Sequence, residues 1–173
     1  MSRLRRGLDS DRAHEAYRQH DKTLFHGNRI LFGRYNGTTP VPGHRRILNK
    51  RGREDDNKSK QVELKSFLRS ARRTHLLLRK RLHEAATDEE RKRLGELISF
   101  FPRVDDDACE MLHRWEMQLA PPDILITNFS MLAIMLMRHR APDAQIRNDQ
   151  ADADIFERTK RWLEQDKQNV FHV

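Results

Sequence analysis

A single cysteine in 173 residues excludes an internal disulfide, which fits a reducing, cytoplasmic compartment. That residue, Cys109, has only His113 near it in sequence. Two side chains do not make a zinc site, so a plain structural role is expected for Cys109 and no metal ligands are assigned. Long apolar runs are also missing. The most apolar stretch, Phe129 to Met137, is about half the length of a membrane-spanning helix. Met1-Ser2-Arg3-Leu4-Arg5-Arg6 has no apolar run behind it, so neither a secretory signal nor a membrane partner is expected. Glycine is sparse, with 7 residues, and none is followed by lysine. A loop ending in Gly-Lys-Ser/Thr, whose amides and lysine hold nucleotide phosphates, is therefore absent. His83-Glu84-Ala85-Ala86-Thr87 lacks the second histidine of a metal-hydrolase helix. Asp88-Glu89-Glu90-Arg91 sits at a polar helix start rather than after an apolar strand, where it reads as capping charge. No catalytic residue and no cofactor are assigned to this chain.

Charge is what the sequence has in abundance. Lys and Arg number 34 against 26 Asp and Glu, a net +8, and 35% of residues are charged against 36% hydrophobic. Such a balance suits an anionic partner (DNA, RNA or an acidic surface), although arginine-rich helices are also simply soluble.

Residues 3 to 20 read as one arginine-rich helix with a thin apolar stripe through Leu4, Leu8 and Tyr17. Arg29 to Tyr35 is rich in strand formers, and Asn36-Gly37-Thr38-Thr39-Pro40 ends it with turn chemistry. Residues 41 to 60 read as a loop. From about 61 to 86, Leu64, Leu68, Ala71, His75, Leu78 and Leu82 recur at steps of four and three, which predicts a helix. A second helix over 88 to 100 is capped by Thr87 with Glu90 three residues on. Together they form a basic hairpin, either a solvated face or a nucleic-acid contact. Pro102 stops it, and Asp105-Asp106-Asp107 opens a short helix through Met117. Asp123 to Thr127 reads as a strand, and Asn128 as the cap of a helix that is apolar on every side and should be buried. An amphipathic helix over about 153 to 165 precedes a last strand at Asn169 to Val173.

Strands separated by helices imply parallel crossovers in one α/β sheet. The expectation is an incomplete parallel sheet of about three strands with a basic helical insertion. It divides into residues 1–40, an insertion over 41–103 and a remainder over 104–173. With so few strands, the chain is expected to be cut at both ends. Two places suit a phosphate. Thr127-Asn128 joins a strand to a helix start, offering a hydroxyl, an amide and unpaired N–H groups. Gly37-Thr38-Thr39 offers a turn with two hydroxyls, and both follow the carboxyl ends of strands, where ligands gather in such sheets. Taken singly, each reads more readily as an ordinary capped helix or glycine turn.

Taken together, these segments resemble a known family. Gly33-Arg34-Tyr35-Asn36-Gly37-Thr38-Thr39-Pro40 is similar to a Gly-x-Tyr-x-Gly-x-Thr-Pro stretch of bacterial superfamily 2 DExH helicases. The relevant group is the large, insertion-bearing one that includes DNA-repair and phage-defence helicases. Pro121-Pro122-Asp123-Ile124-Leu125-Ile126-Thr127-Asn128-Phe129-Ser130-Met131-Leu132 resembles their motif Ib region, and Glu110 to Gln118 and Ile155 to Leu163 also fit. Residues 2 to 9 look like the helix after motif Ia, and Asn169 to Val173 like the start of the strand entering the DExH box. The resemblance implies a partial RecA-like first motor domain with nucleic acid, DNA in particular, as partner. It implies that Thr127 and Asn128 touch the phosphates of one strand. Gly37, Thr38 and Thr39 would add backbone contacts, with Arg34 and Arg114 as helpers. ATP and Mg²⁺ would serve the full-length family. The family's motifs I and II, second motor domain and arginine finger have no counterpart here, so the isolated chain is expected to have no ATPase or helicase activity. A truncated gene or one half of a split helicase, partnered by its missing halves, would have such a sequence. The alternative is a free-standing basic, helical nucleic-acid-binding protein without enzymatic activity.

Overall fold

A computed structural model of the chain describes residues 1–20, 29–140, 154–166 and 170. Its elements run α1 (Ser2–Leu8), α2 (Asp11–His20), β1 (Phe32–Tyr35), β2 (Arg46–Leu48), β3 (Glu54–Asp56), α3 (Lys58–Glu84) and α4 (Asp88–Ile98). After these come β4 (Glu110–Met111), α5 (Arg114–Leu119), β5 (Ile124–Thr127), α6 (Phe129–Arg140) and α7 (Asp154–Gln165). A three-stranded parallel sheet has the order β4-β1-β5, and a separate hairpin pairs β2 with β3, so the α/β class is as expected. No described helix is long and apolar enough to cross a membrane.

The chain forms two compact units, Met1–Phe32 with Leu64–Met111, and Gly33–Glu63 with Leu112–Val173. Residues 41–103, set apart in sequence as an insertion, contribute to both. In the first unit, Phe32 and Cys109 are fully buried beside Tyr17, with Met1, Leu4, Leu8 and Ala13 packed around them. In the second, Tyr35, Val41, Met117 and Met135 are fully buried.

Four elements differ from expectation. The amino-terminal helix is two helices, because Ser10 Oγ accepts the Ala13 N–H at 3.2 Å and starts a new one. Asp9, between the two, turns inward, and its side chain accepts the Cys109 N–H at 3.0 Å. A small hydrogen-bonding side chain that competes with the helix ladder breaks it in this way. The loop over 41–60 holds the β2–β3 hairpin, whose strands are too exposed to show an apolar alternation. Its turn rests on Gly52 at φ 70 and on Asn49 Oδ1, which accepts the N–H groups of Arg51 and Arg53. The helix expected from Asp105 to Met117 is a turn, then β4, then α5. Asp105 Oδ1 accepts the Asp107 N–H at 3.2 Å, closing the turn locally, and the Cys109 carbonyl accepts the Phe32 N–H at 3.0 Å. The sheet's third strand is therefore β4. The strand expected at Asn169–Val173 lies outside the described residues, apart from Val170.

The fourth difference is α6. It forms where expected, capped by Asn128, whose Oδ1 accepts the Met131 N–H at 2.8 Å. Yet among its described side chains only Met135 is buried, while Phe129 is 85% and Met137 65% exposed. Among the described elements α6 packs against α7, and one helix neighbour covers only one side of an all-apolar helix.

Helix α3 carries a buried histidine. His75 is 8% exposed and neither ring nitrogen has a hydrogen-bond partner. Burial, then the Arg79 and Arg103 guanidiniums, hold its pKa below the usual value. A folded-state pKa below the unfolded one means that the unfolded chain binds the extra proton first. Stability linked to His75 is thus complete above about pH 6.5 and is lost as the pH falls through the folded value. Urea titrations at falling pH should show this loss. His75→Leu should remove it and add about 1 kcal/mol at neutral pH, by deleting two orphaned polar atoms. An unchanged pH profile in that variant would assign the dependence to another group.

Candidate nucleic-acid interface

Strand β1 buries alternate side chains, which fixes Tyr35 in the core of the second unit and leaves Arg34 exposed. Tyr35 is clasped on two sides. Its hydroxyl accepts from Gln118 Nε2 at 3.0 Å, and the Arg114 guanidinium lies over its ring at 4.9 Å. A delocalised cation on an aromatic face is attracted by the ring quadrupole. Arg114 is 6% exposed, and its Nη2 donates to the Asn36 carbonyl at 2.8 Å while its own N–H donates to the Pro40 carbonyl at 3.2 Å. Arg114 therefore holds the loop after β1 from below.

Asn36 organises that loop from within. Its Oδ1 accepts the Thr38 N–H at 3.0 Å and the Thr38 hydroxyl at 2.8 Å. Thr39 is buried, its hydroxyl donating to the Arg34 carbonyl at 2.6 Å and accepting the Asn36 N–H at 3.0 Å. Both capacities of that hydroxyl are thus used inside the loop. Gly37 and Thr38, by contrast, are exposed, and a Cβ built on Gly37 would meet nothing within 4 Å. Fully buried Val41 follows at φ 52, a left-handed conformation that a β-branched residue adopts at a cost of about 1–3 kcal/mol. Trp115 Nε1 donates to the Gly43 carbonyl at 2.8 Å and pins the loop's far end.

The second element is the β5–α6 junction. Thr127 is half-buried, and Asn128, Phe129 and Ser130 are exposed. Asn128 Oδ1 occupies only the Met131 N–H of the first turn of α6. The amide ends of a helix carry partial positive charge, which suits a phosphate oxygen. Because β1 and β5 are parallel neighbours, their carboxyl ends emerge on one edge of the sheet. Adjacent strands lie about 4.8 Å apart, so the Gly37 turn and the Asn128 cap leave the sheet side by side. This edge is where ligands collect in parallel α/β sheets.

Set beside known proteins, the chain is 43% identical over 60 residues to Druantia protein DruE of Escherichia coli (strain UMEA 4076-1). The match is partial. It covers 35% of this chain and 3% of that protein. No protein-family model matches the chain, and no solved structure does.

Of the residues singled out in the sequence, Gly37, Thr38, Thr127, Asn128 and Arg34 lie at or beside this edge with solvent access. Thr39 and Arg114 are buried and committed to holding the loop in shape. Asn36 was named in the sequence only as part of the turn, not as a site residue. Its signal was present, since an Asn two residues before Thr-Thr in a turn commonly bonds the backbone two residues on.

Proposed function

We propose that this chain is a segment of a superfamily 2 DExH-type helicase motor domain that grips the sugar–phosphate backbone of single-stranded DNA. The grip lies at the carboxyl edge of β1 and β5. The observation that carries the reading is the pairing of two exposed features on neighbouring parallel strands, the open Gly37 turn and the Asn128-capped start of α6 with its amide end. Gly37 admits a phosphate because no side chain stands in the way, and Thr127 adds a hydroxyl at the same edge. Such contacts position a strand without reading its bases. The 60-residue similarity to Druantia protein DruE is compatible with a helicase of the defence type.

The residues present do not fit ATP and Mg²⁺. No glycine precedes a lysine, and Asp88-Glu89-Glu90 forms the first turn of α4, where Thr87 Oγ1 accepts the Glu90 N–H at 3.2 Å. No hydrolytic step is assigned to this chain.

Fluorescence anisotropy with a labelled single-stranded oligonucleotide tests the grip. Thr127→Ala with Asn128→Ala should weaken binding about tenfold, equivalent to one or two charge-assisted hydrogen bonds. A second reading rests on α3, where Arg69, Arg72, Arg73 and Lys80 surround the half-exposed Leu76 and Leu77. There, a basic helical face would hold the strand instead. Changing Arg69, Arg72 and Arg73 to alanine would then lower the salt slope of binding by about 2. The edge site requires that slope to stay while the Thr127/Asn128 variant loses affinity.

A further inference from the structure

The first unit holds a cluster that the proposed grip does not use. Asp9, His14 and Cys109 converge there, all buried, with one potential ligand atom from each lying within 4.8 Å of the others. His14 Nε2 is 2.9 Å from Asp9 Oδ1, and the same oxygen accepts the Cys109 N–H at 3.0 Å. The other carboxylate oxygen, Asp9 Oδ2, is buried without any partner, and the Asp9 side chain is only 2% exposed. A carboxylate oxygen taken out of water demands a donor or a cation, and here no donor meets it.

We infer that Asp9, His14 and Cys109 form a structural binding site for a zinc-like divalent transition-metal ion. The donor set is one carboxylate oxygen, one imidazole nitrogen and one sulfur. Sulfur argues against Mg²⁺ and Ca²⁺, whereas Zn²⁺, of intermediate softness, accepts all three atom types. In tetrahedral zinc sites the ligand atoms stand about 3.3–3.6 Å apart, so the cluster needs to close by about an ångström at its widest. Charge favours the ion too, since a carboxylate and a thiolate together neutralise a divalent cation in a buried place. Asp9 also lines a cleft of about 190 Å³ with Ser10, His75, Ser99 and Arg103. The guanidiniums of Arg5, Arg6, Arg79 and Arg103 line that cleft too, so the carboxylate and thiolate must hold the ion against their charge. A thiol binds the ion as thiolate, so metal entry displaces the Cys109 proton to solvent.

The structural consequence follows from sequence separation. Asp9 and Cys109 are 100 positions apart, and an ion bridging them would staple the α1–α2 turn to the residue before β4. Closing so long a loop in the unfolded chain is what makes a metal clip stabilising. This inference is independent of the nucleic-acid reading, because none of the three residues belongs to the sheet edge.

The test uses the intact 173-residue chain, stripped with a chelator and titrated with Co²⁺, then with Zn²⁺ against a chromophoric competitor. Binding of one Co²⁺ per chain with a thiolate-to-cobalt charge-transfer band and tetrahedral visible bands is expected. Zn²⁺ should erase those bands, release protons and raise the thermal midpoint. Cys109→Ser should weaken Zn²⁺ binding by more than about 100-fold and abolish the charge-transfer band. His14→Gln should lose tetrahedral intensity. Should a variant fail to fold, the wild-type Co²⁺ spectrum still decides. No charge-transfer band, or equal Zn²⁺ affinity in wild type and folded Cys109→Ser, overturns the inference, because surface histidines alone would then be binding.

Discussion

Tyr35→Ala should destabilise the second unit by about 3–5 kcal/mol, the cost of emptying a buried aromatic site. Tyr35 is fully buried, and its loss strips the Arg114 guanidinium of the ring beneath it and leaves Gln118 Nε2 without its acceptor. Since whole domains are stable by only about 5–15 kcal/mol, the variant sits near the unfolding threshold. Tyr35→Phe separates the contributions. It keeps the ring and its cation, removes one hydrogen bond, and should cost about 1–2 kcal/mol. Urea denaturation followed by far-ultraviolet circular dichroism measures both. A Tyr35→Ala midpoint close to wild type would mean that the ring is not the keystone of this unit.

Arg114→Ala is the second large effect, expected at about 2–4 kcal/mol and, on the proposed grip, with a loss of DNA affinity of about tenfold or more. The guanidinium makes a charge-assisted bond to the Asn36 carbonyl and covers Tyr35 from a position that is 6% exposed. Without it, the Gly37 turn loses its floor, and the proposed grip loses the shape of that loop. Arg114→Lys should rescue neither property well, because an ammonium cannot stack flat and donate in the guanidinium's direction together. A stable Arg114→Ala protein that nevertheless loses all DNA binding would make Arg114 a direct phosphate contact, contrary to its burial. The two variants also differ in kind. Tyr35→Ala acts through the core, so its binding loss should follow its unfolding, whereas folded Arg114→Ala protein should still bind weakly.

Elements that the sequence announces are those governed by neighbours along the chain. Leu64, Leu68, Ala71, His75, Leu78 and Leu82 mark α3 because a helix brings positions three and four apart onto one face. Thr87 with Glu90, and Asn128 with Met131, mark helix starts because a cap bonds within three residues. The turn at Asn36 to Pro40 was legible for the same reason, and so was the strand before it. Local chemistry of this kind survives any tertiary setting, so the α/β class and most helices could be read in advance.

The rest depended on partners distant in sequence. Arg114, a helper contact on the sequence, lies beneath Asn36 and over Tyr35 in the fold. The acidic run before Cys109 read as a helix start, yet pairing with β1 made a strand of Glu110–Met111. The α6 helix promised burial by composition, but burial is decided by which elements lie against it. Asp9 looked like an ordinary helical residue, and only the break at Ser10 turned its carboxylate toward His14 and Cys109. Composition and periodicity therefore determined which segments are helix, strand and cap in this protein. Tertiary structure alone decided which charges are buried, which strand completes the sheet and which distant side chains share a cluster, because those outcomes depend on through-space distance rather than spacing along the chain.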